Sequence, residues 1–144
     1  MSVERYNYEN EEIIDHLPEG LILIQSLNDI QADLHALCLF NSGSSSTLIN
    51  QHALPPLIKS KMGALQSFTT TQGTDESSKF YVGSNIFFPD FCKSRKISEI
   101  TMRLFNSPVS RYDVIISRDV LKYGFVLDHA CHTATWDGLT IEMV

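Results

Sequence analysis

Between residues 20 and 143 the chain is cut into short apolar runs by Gly, Pro, Asn, Asp and Ser, and this punctuation limits it to strand-rich folds. Gly20 to Leu27 is rich in Leu and Ile and meets the turn signal Asn28-Asp29. His35 to Phe40 is a second apolar run, ending at Asn41-Ser42-Gly43. Gln66 to Thr71 and Lys79 to Phe88 are Thr- and aromatic-rich; they flank Gln72-Gly73-Thr74-Asp75 and predict a hairpin with an exposed, mobile tip. Glu99 to Phe105 alternates as a strand does, with Ile100, Met102 and Leu104 on one face. Tyr112 to Ile116 reads as a buried strand, and Arg118 to Tyr123 as a short helix closed by Gly124. Thr133 to Trp136 and Leu139 to Met143 flank Asp137-Gly138, a strong two-residue hairpin signal. Ser45 to Leu54 reads as a further short helix, capped by serine and stopped by Pro55-Pro56. Many short strands with one or two short helices predict an all-β fold, a small barrel or a folded sandwich.

At 144 residues the chain suits one domain able to bury a core without staples. The charge of −6 is unevenly placed: residues 1–20 carry six acids against Arg5, which is −5, and the remainder is nearly neutral. A neutral body argues against nucleic acid as a partner, because phosphate binding needs a basic face. The one basic cluster, Lys93-Ser94-Arg95-Lys96, reads as a solvated loop. Runs such as Gly20 to Ile24 are far too short to span a bilayer, so no membrane role is expected.

Residues 1–18 are acidic, tyrosine-bearing and aperiodic, and read either as a flexible leader ending at Leu17-Pro18 or as a segment that needs a partner to order. The domain is expected over 19–144. Cys38, Cys92 and Cys131 are odd in number and widely spaced, which predicts neither a disulfide framework nor a zinc knuckle and favours a reducing, intracellular compartment such as the cytoplasm. Asp128-His129-Ala130-Cys131-His132 contains metal-ligating types, but with no second ligand cluster it reads as surface polar residues; no metal or other cofactor is expected.

The segment "LFNSGSSSTLI" (39–49) resembles the active-site motif of retropepsin-like aspartic proteases: two apolar residues, Asp, Ser or Thr, Gly, then a small residue. "YDVIISRDVLKYG" (112–124) resembles the second signature of that family, and "TATWDGLTIEM" (133–143) is similar to the closing hairpin of proteases from Ty3/gypsy-like retrotransposon polyproteins. The three stand in the family's order across roughly residues 20 to 143. The resemblance implies a small closed barrel of the acid-protease type, assembled as a two-fold homodimer in which each chain supplies half of one active site. Its substrate would be an extended peptide or polyprotein. In such a site two aspartates share a proton; one takes a proton from water while the other protonates the scissile carbonyl.

Carried over residue by residue, the resemblance puts Asn41 at the position of the catalytic aspartate. Ser42 matches the hydroxyl residue that ties the two loops together, and Gly43 allows close backbone approach. Gln72, Gly73 and Thr74 are the candidate flap over substrate. Ile115 and Ile116 would pack behind the loop, while Ser117, Arg118 and Asp119 continue the second signature, with Ser117 standing where the family has glycine. The terminal hairpin would join the dimer interface. An amide is neutral and cannot serve as general base, so the expectation is a folded domain inactive as written. Asn41 has two open origins, deliberate substitution by a near-isostere or natural loss in a repurposed element. The alternative function is a non-catalytic peptide-binding or dimerisation module.

Overall fold

The computed structural model describes residues 16–27, 31–54, 68–70, 73–75 and 80–144. Strands β1 (Glu19–Leu27), β2 (Asp33–Phe40), β3 (Leu48–Asn50), β6 (Phe80–Phe88), β7 (Cys92–Phe105) and β8 (Val114–Ile116) close into a barrel in the order β1-β2-β8-β3-β7-β6. β1 pairs antiparallel with β2 and β6, and β6 antiparallel with β7. Around β8 the pattern changes: β2–β8 and β3–β7 are parallel and β3–β8 antiparallel. The chain therefore leaves β2, loops, and returns as β3 on the far side of β8, leaving a gap that β8 fills from much later in the sequence. Closing the sheet removes its free edges.

Side chains pointing inward make one core, including Ile22, Ile24, Cys38, Phe40, Ile49, Ile86, Phe88, Met102, Val114 and Ile116. The alternation that buries them changes phase along one line across three strands. In β1, Ile22 and Ile24 are buried and then Leu27; in β7, Ile97 and then Ile100, Met102 and Leu104. The skipped step coincides with left-handed backbone at Ser26 (φ 55°) and Glu99 (φ 54°). Ladder partners keep the two phases aligned, Ile24 with Ile86 with Ile97 on one side and Leu27 with Gly83 with Ile100 on the other. The Ser84 hydroxyl donates to the Ser26 carbonyl at 3.1 Å along that line. Such a break bends strands at a barrel corner while keeping apolar side chains inside on both arms.

Gly83 occupies the crowded point of this corner. A Cβ there would lie 2.8 Å from Ile24 Cγ2 and 3.2 Å from Met102 Cε. Met102 can yield, but Ile24 is β-branched and fully buried. Gly83→Ala is expected to cost about 1–3 kcal/mol through overpacking, read as a lower urea midpoint. An unchanged midpoint would show that the corner relaxes freely.

Outside the barrel, β9 (Val126–Asp128), β10 (Thr133–Trp136) and β11 (Leu139–Glu142) form an antiparallel sheet. Its Asp137-Gly138 turn has φ of 54° and 77°, the left-handed pair expected of this dipeptide. Trp136 fixes the sheet to the barrel. Its ring stacks on Phe125 (4.7 Å between centroids, 3° between planes) and meets Phe88 and Phe91 edge-on at 5.6 and 6.3 Å. The indole N–H donates to the Tyr123 carbonyl at 3.2 Å. On its outer side, Arg95 lies 5.1 Å from the ring centroid and pairs with Asp137.

Three expectations need correction. Ser45 to Leu54 is not a helix: Leu48–Asn50 is β3, followed by a single 3-10 turn, Gln51–Ala53. Pairing to both β7 and β8 overrides local preference, and Asn50 caps the turn by accepting from His52 N at 3.1 Å. The expected hairpin partners also differ. β4 (Phe68–Thr70) pairs with β5 (Gly73–Asp75), which puts Gly73 and Thr74 in a strand; β6 pairs with β1 and β7 instead. Gln72, Asn28-Asp29 and Pro55-Pro56 lie outside the described residues. Finally, Lys93 to Lys96 is part of β7, not a loop, although its side chains are exposed as expected.

Candidate active site

Phe40 ends β2 inside the aromatic cluster, 5.5 Å from Phe125 and 5.7 Å from Phe88 between centroids. The next residue, Asn41, is thereby delivered to the barrel rim. Its backbone N–H donates to the Ile116 carbonyl at 2.7 Å, continuing the β2–β8 ladder by one step. Its side-chain Oδ1 accepts from Gly43 N at 2.9 Å, closing an Asx turn. Gly43 leaves room for this approach: a Cβ there would stand 3.1 Å from that same oxygen, which would have to give by a few tenths of an ångström. Asn41 is half-buried, while Ser42 and Gly43 are exposed at the tip.

The far arm of the loop is held by the segment after β8. Ser117 is fully buried in extended backbone, and its hydroxyl is hydrogen-bonded to that of Ser44. The Ser44 carbonyl accepts from both the backbone N and Nε of Arg118, each at 3.1 Å. Asp119, in the short helix α1 (Arg118–Leu121), accepts from the Thr47 hydroxyl at 2.7 Å and from Thr47 N at 3.0 Å. The same Thr47 oxygen accepts from Ser117 N at 3.2 Å. Thr47 is fully buried, so each of these bonds replaces one that water would have made.

The structure brings Asn41, Ser42 and Gly43 together with Ile116, Ser117, Arg118 and Asp119 as one bonded unit. Ile115 is half-buried on β8 with Ile116 fully buried beside it. Gly73 and Thr74 lie on β5. Sequence reading missed Ser44 and Thr47, whose partners lie about 70 positions away with no spacing that announces them. Asp119 has both oxygens engaged by Thr47 and is a clamp. Asp119→Ala is expected to strand two Thr47 donors, costing about 1–3 kcal/mol for each left unpaired, measured by denaturant unfolding. A loss below about 0.5 kcal/mol would mean that water replaces the carboxylate fully.

At the tip Asn41 itself carries no titratable group. Cys38, three residues upstream in β2, is buried, which pushes its thiol far above the ordinary range and makes it an inert core residue. The polar run at 128–132 is accounted for by its turn: Asp128 Oδ1 accepts from Ala130 N and Cys131 N, each at 3.0 Å, and the His132 ring lies 4.1 Å from that of His16. No group of His, Cys, Asp and Glu suited to a metal ion occurs among the described residues.

The solved structures similar to this chain include the retroviral protease-like domain of Ddi1 from Leishmania major. It shares 12% identity at a TM-score of 0.52, over 92% of this chain and 96% of that one. The fold is retropepsin-like. Also similar are a retropepsin-like aspartic protease from Rickettsia conorii (10% identity, TM-score 0.45, 76% of this chain and 82% of that one) and EIAV protease complexed with the inhibitor HBY-793 (14%, 0.38, 78% and 91%). No protein-family model matches the sequence, and a comparison with curated proteins returns no significant match. Within the retropepsin-like fold, Asn41 directly follows the strand that runs into the rim loop, and β8 with α1 supports that loop from behind.

Proposed function

We propose that this chain is the aspartic-endopeptidase domain of a retroelement polyprotein, carrying Asn41 in place of the catalytic aspartate and therefore inactive as written. The observation that supports this most strongly is the rim loop. Asn41 is held by Ile116 and Gly43 in a closed turn, with a hydroxyl and a glycine at the tip, and only the ionisable group is missing. On this reading two copies meet about a two-fold axis through Ser42 and Gly43. The β4–β5 hairpin forms the flap, with Gln72, Gly73 and Thr74 at or beside its tip, and an extended peptide lies between the flap and the loop. Ile115, Ile116, Ser117, Arg118 and Asp119 are the frame that holds the loop in position. The terminal sheet adds to the dimer interface. Three unpaired cysteines are consistent with a reducing, cytoplasmic setting, and no helix among the described residues is long and apolar enough to cross a membrane.

Asn41→Asp tests this directly. Cleavage of a peptide library by the substituted protein, blocked by a hydroxyl-bearing transition-state mimic, is the expected result. A folded, dimeric Asn41→Asp protein that cuts nothing would refute it.

A second reading, a non-catalytic module that binds extended peptides or dimerises, is favoured by one observation. Ser117, the second departure from the family pattern, has its hydroxyl paired with Ser44, so the loop frame is intact without the carboxylate. Saturable peptide binding by the unsubstituted chain, without turnover, would favour this role, because a groove of this kind recognises a strand through its main chain.

A further inference from the structure

Beside the rim loop lies a cavity of about 400 Å³. Its apolar walls are Leu121, Phe125 and Leu127; Ser42 borders it, and Arg118, Lys122 and His129 bring basic side chains to it. These three are exposed, on a body that is not itself basic: residues 16–144 hold twelve acids and ten Lys or Arg, a net −2. A basic rim over an apolar floor suits a ligand that is acidic and partly apolar.

The chain carries such a segment. Residues 1–15 hold Glu4, Glu9, Glu11, Glu12 and Asp15 against Arg5 alone, a net −4, together with Tyr6, Tyr8, Ile13 and Ile14. The point from which this segment departs is fixed. Leu17 is paired to Val144 in both directions, at 2.8 and 2.9 Å, and the His16 ring lies 4.1 Å from that of His132. His132 is three residues from His129 on the cavity rim, a span of at most roughly 11 Å between Cα atoms. At roughly 3.3–3.6 Å per extended residue, four to six residues on the N-terminal side of His16 reach the cavity, so Asn10, Glu11 and Glu12 arrive there.

We infer that the acidic segment 1–15 docks in its own chain's cavity, its carboxylates against Arg118, Lys122 and His129 and its Tyr and Ile side chains against Leu121, Phe125 and Leu127. Because Ser42 borders the cavity, a docked segment also covers one side of the loop tip. On the proposed function, that tip is where a second copy meets the first, so the segment competes with dimerisation. This consequence rests on that reading, whereas the docking does not.

The test uses the full chain with p-benzoylphenylalanine in place of Tyr8, irradiated at low micromolar concentration and mapped by mass spectrometry. Cross-links within one chain to residues 118–129 are expected. Lys122→Glu with His129→Glu should lower their yield by about fivefold, as should raising salt to about 0.5 M, because screening weakens exposed pairs. Adding Glu11→Lys and Glu12→Lys to that variant should restore the yield. Both rim residues are exposed, so the fold tolerates these changes. Cross-links to another region, cross-links between two chains, or a yield indifferent to charge reversal would each overturn the inference. None of these readings depends on whether the loop can cleave a peptide.

Discussion

Asn41→Asp should raise peptide cleavage from background by at least about 10²–10⁴-fold, the range a positioned acid–base group contributes. The structure favours acceptance of the carboxylate without rearrangement. Gly43 N already donates to the Asn41 side-chain oxygen at 2.9 Å, and a carboxylate accepts that bond more strongly than an amide. Nor does the change add a heavy atom to the crowded approach of Gly43, because Asp and Asn have the same shape. In a two-fold dimer the new carboxylates face each other and titrate as a pair. At low pH both are protonated and no base remains; at high pH both are ionised, repel each other, and no acid remains. Activity should therefore rise and then fall with pH, peaking where the pair holds one proton. A flat profile would place the chemistry elsewhere. On the proposed two-fold assembly, the same repulsion predicts that the Asn41→Asp dimer dissociates more readily as pH rises through the upper transition, whereas the unsubstituted chain shows no such step; sedimentation at two pH values reads the difference.

The second large effect is on stability. Trp136→Ala is expected to cost about 3–5 kcal/mol, the usual penalty for removing a buried ring, against a total of about 5–15 kcal/mol for a domain. The indole is 1% exposed and touches three other aromatic rings, so neighbours cannot close over the void without breaking their own packing. It also satisfies the Tyr123 carbonyl, and its loss removes the surface under Arg95. Trp136→Phe keeps most of the stacking and should cost less than half as much. The damage should reach the rim, because Phe125, on which Trp136 stacks, also packs on Phe40, the residue just before Asn41. In an Asn41→Asp background, Trp136→Ala should therefore reduce cleavage below what its unfolded fraction accounts for. Equal losses of activity and of folded protein would show that the loop is insulated from the cluster.

Legibility in the sequence followed the range over which each signal acts. The hairpin at Asp137-Gly138, the β2 run into Asn41 and the short helix after Ile116 are local patterns, and each appears where the residues predicted it. Leu48 to Asn50 reads as helix in isolation because what makes it a strand is a slot between β7 and β8, filled from 50 residues or more away. The phase change at Ser26 and Glu99 defeats any search for alternation, since each arm alternates correctly and only the junction does not. The loop shows the same division. Asn41, Ser42 and Gly43 are visible as a motif, but the Ser44–Ser117 and Thr47–Asp119 bonds that give it rigidity join segments that the sequence separates.

Trp136 is also the only indole in the molecule, and it sits between the terminal sheet and the aromatic floor of the rim loop. Its fluorescence is consequently a native optical gauge of a single junction. Undocking the C-terminal strands exposes the ring to water and shifts its emission to the red, even where the barrel behind it stays closed. A loosening of that seam and a global unfolding event would then separate in one titration, fluorescence reporting the first and far-ultraviolet dichroism the second, with no label added.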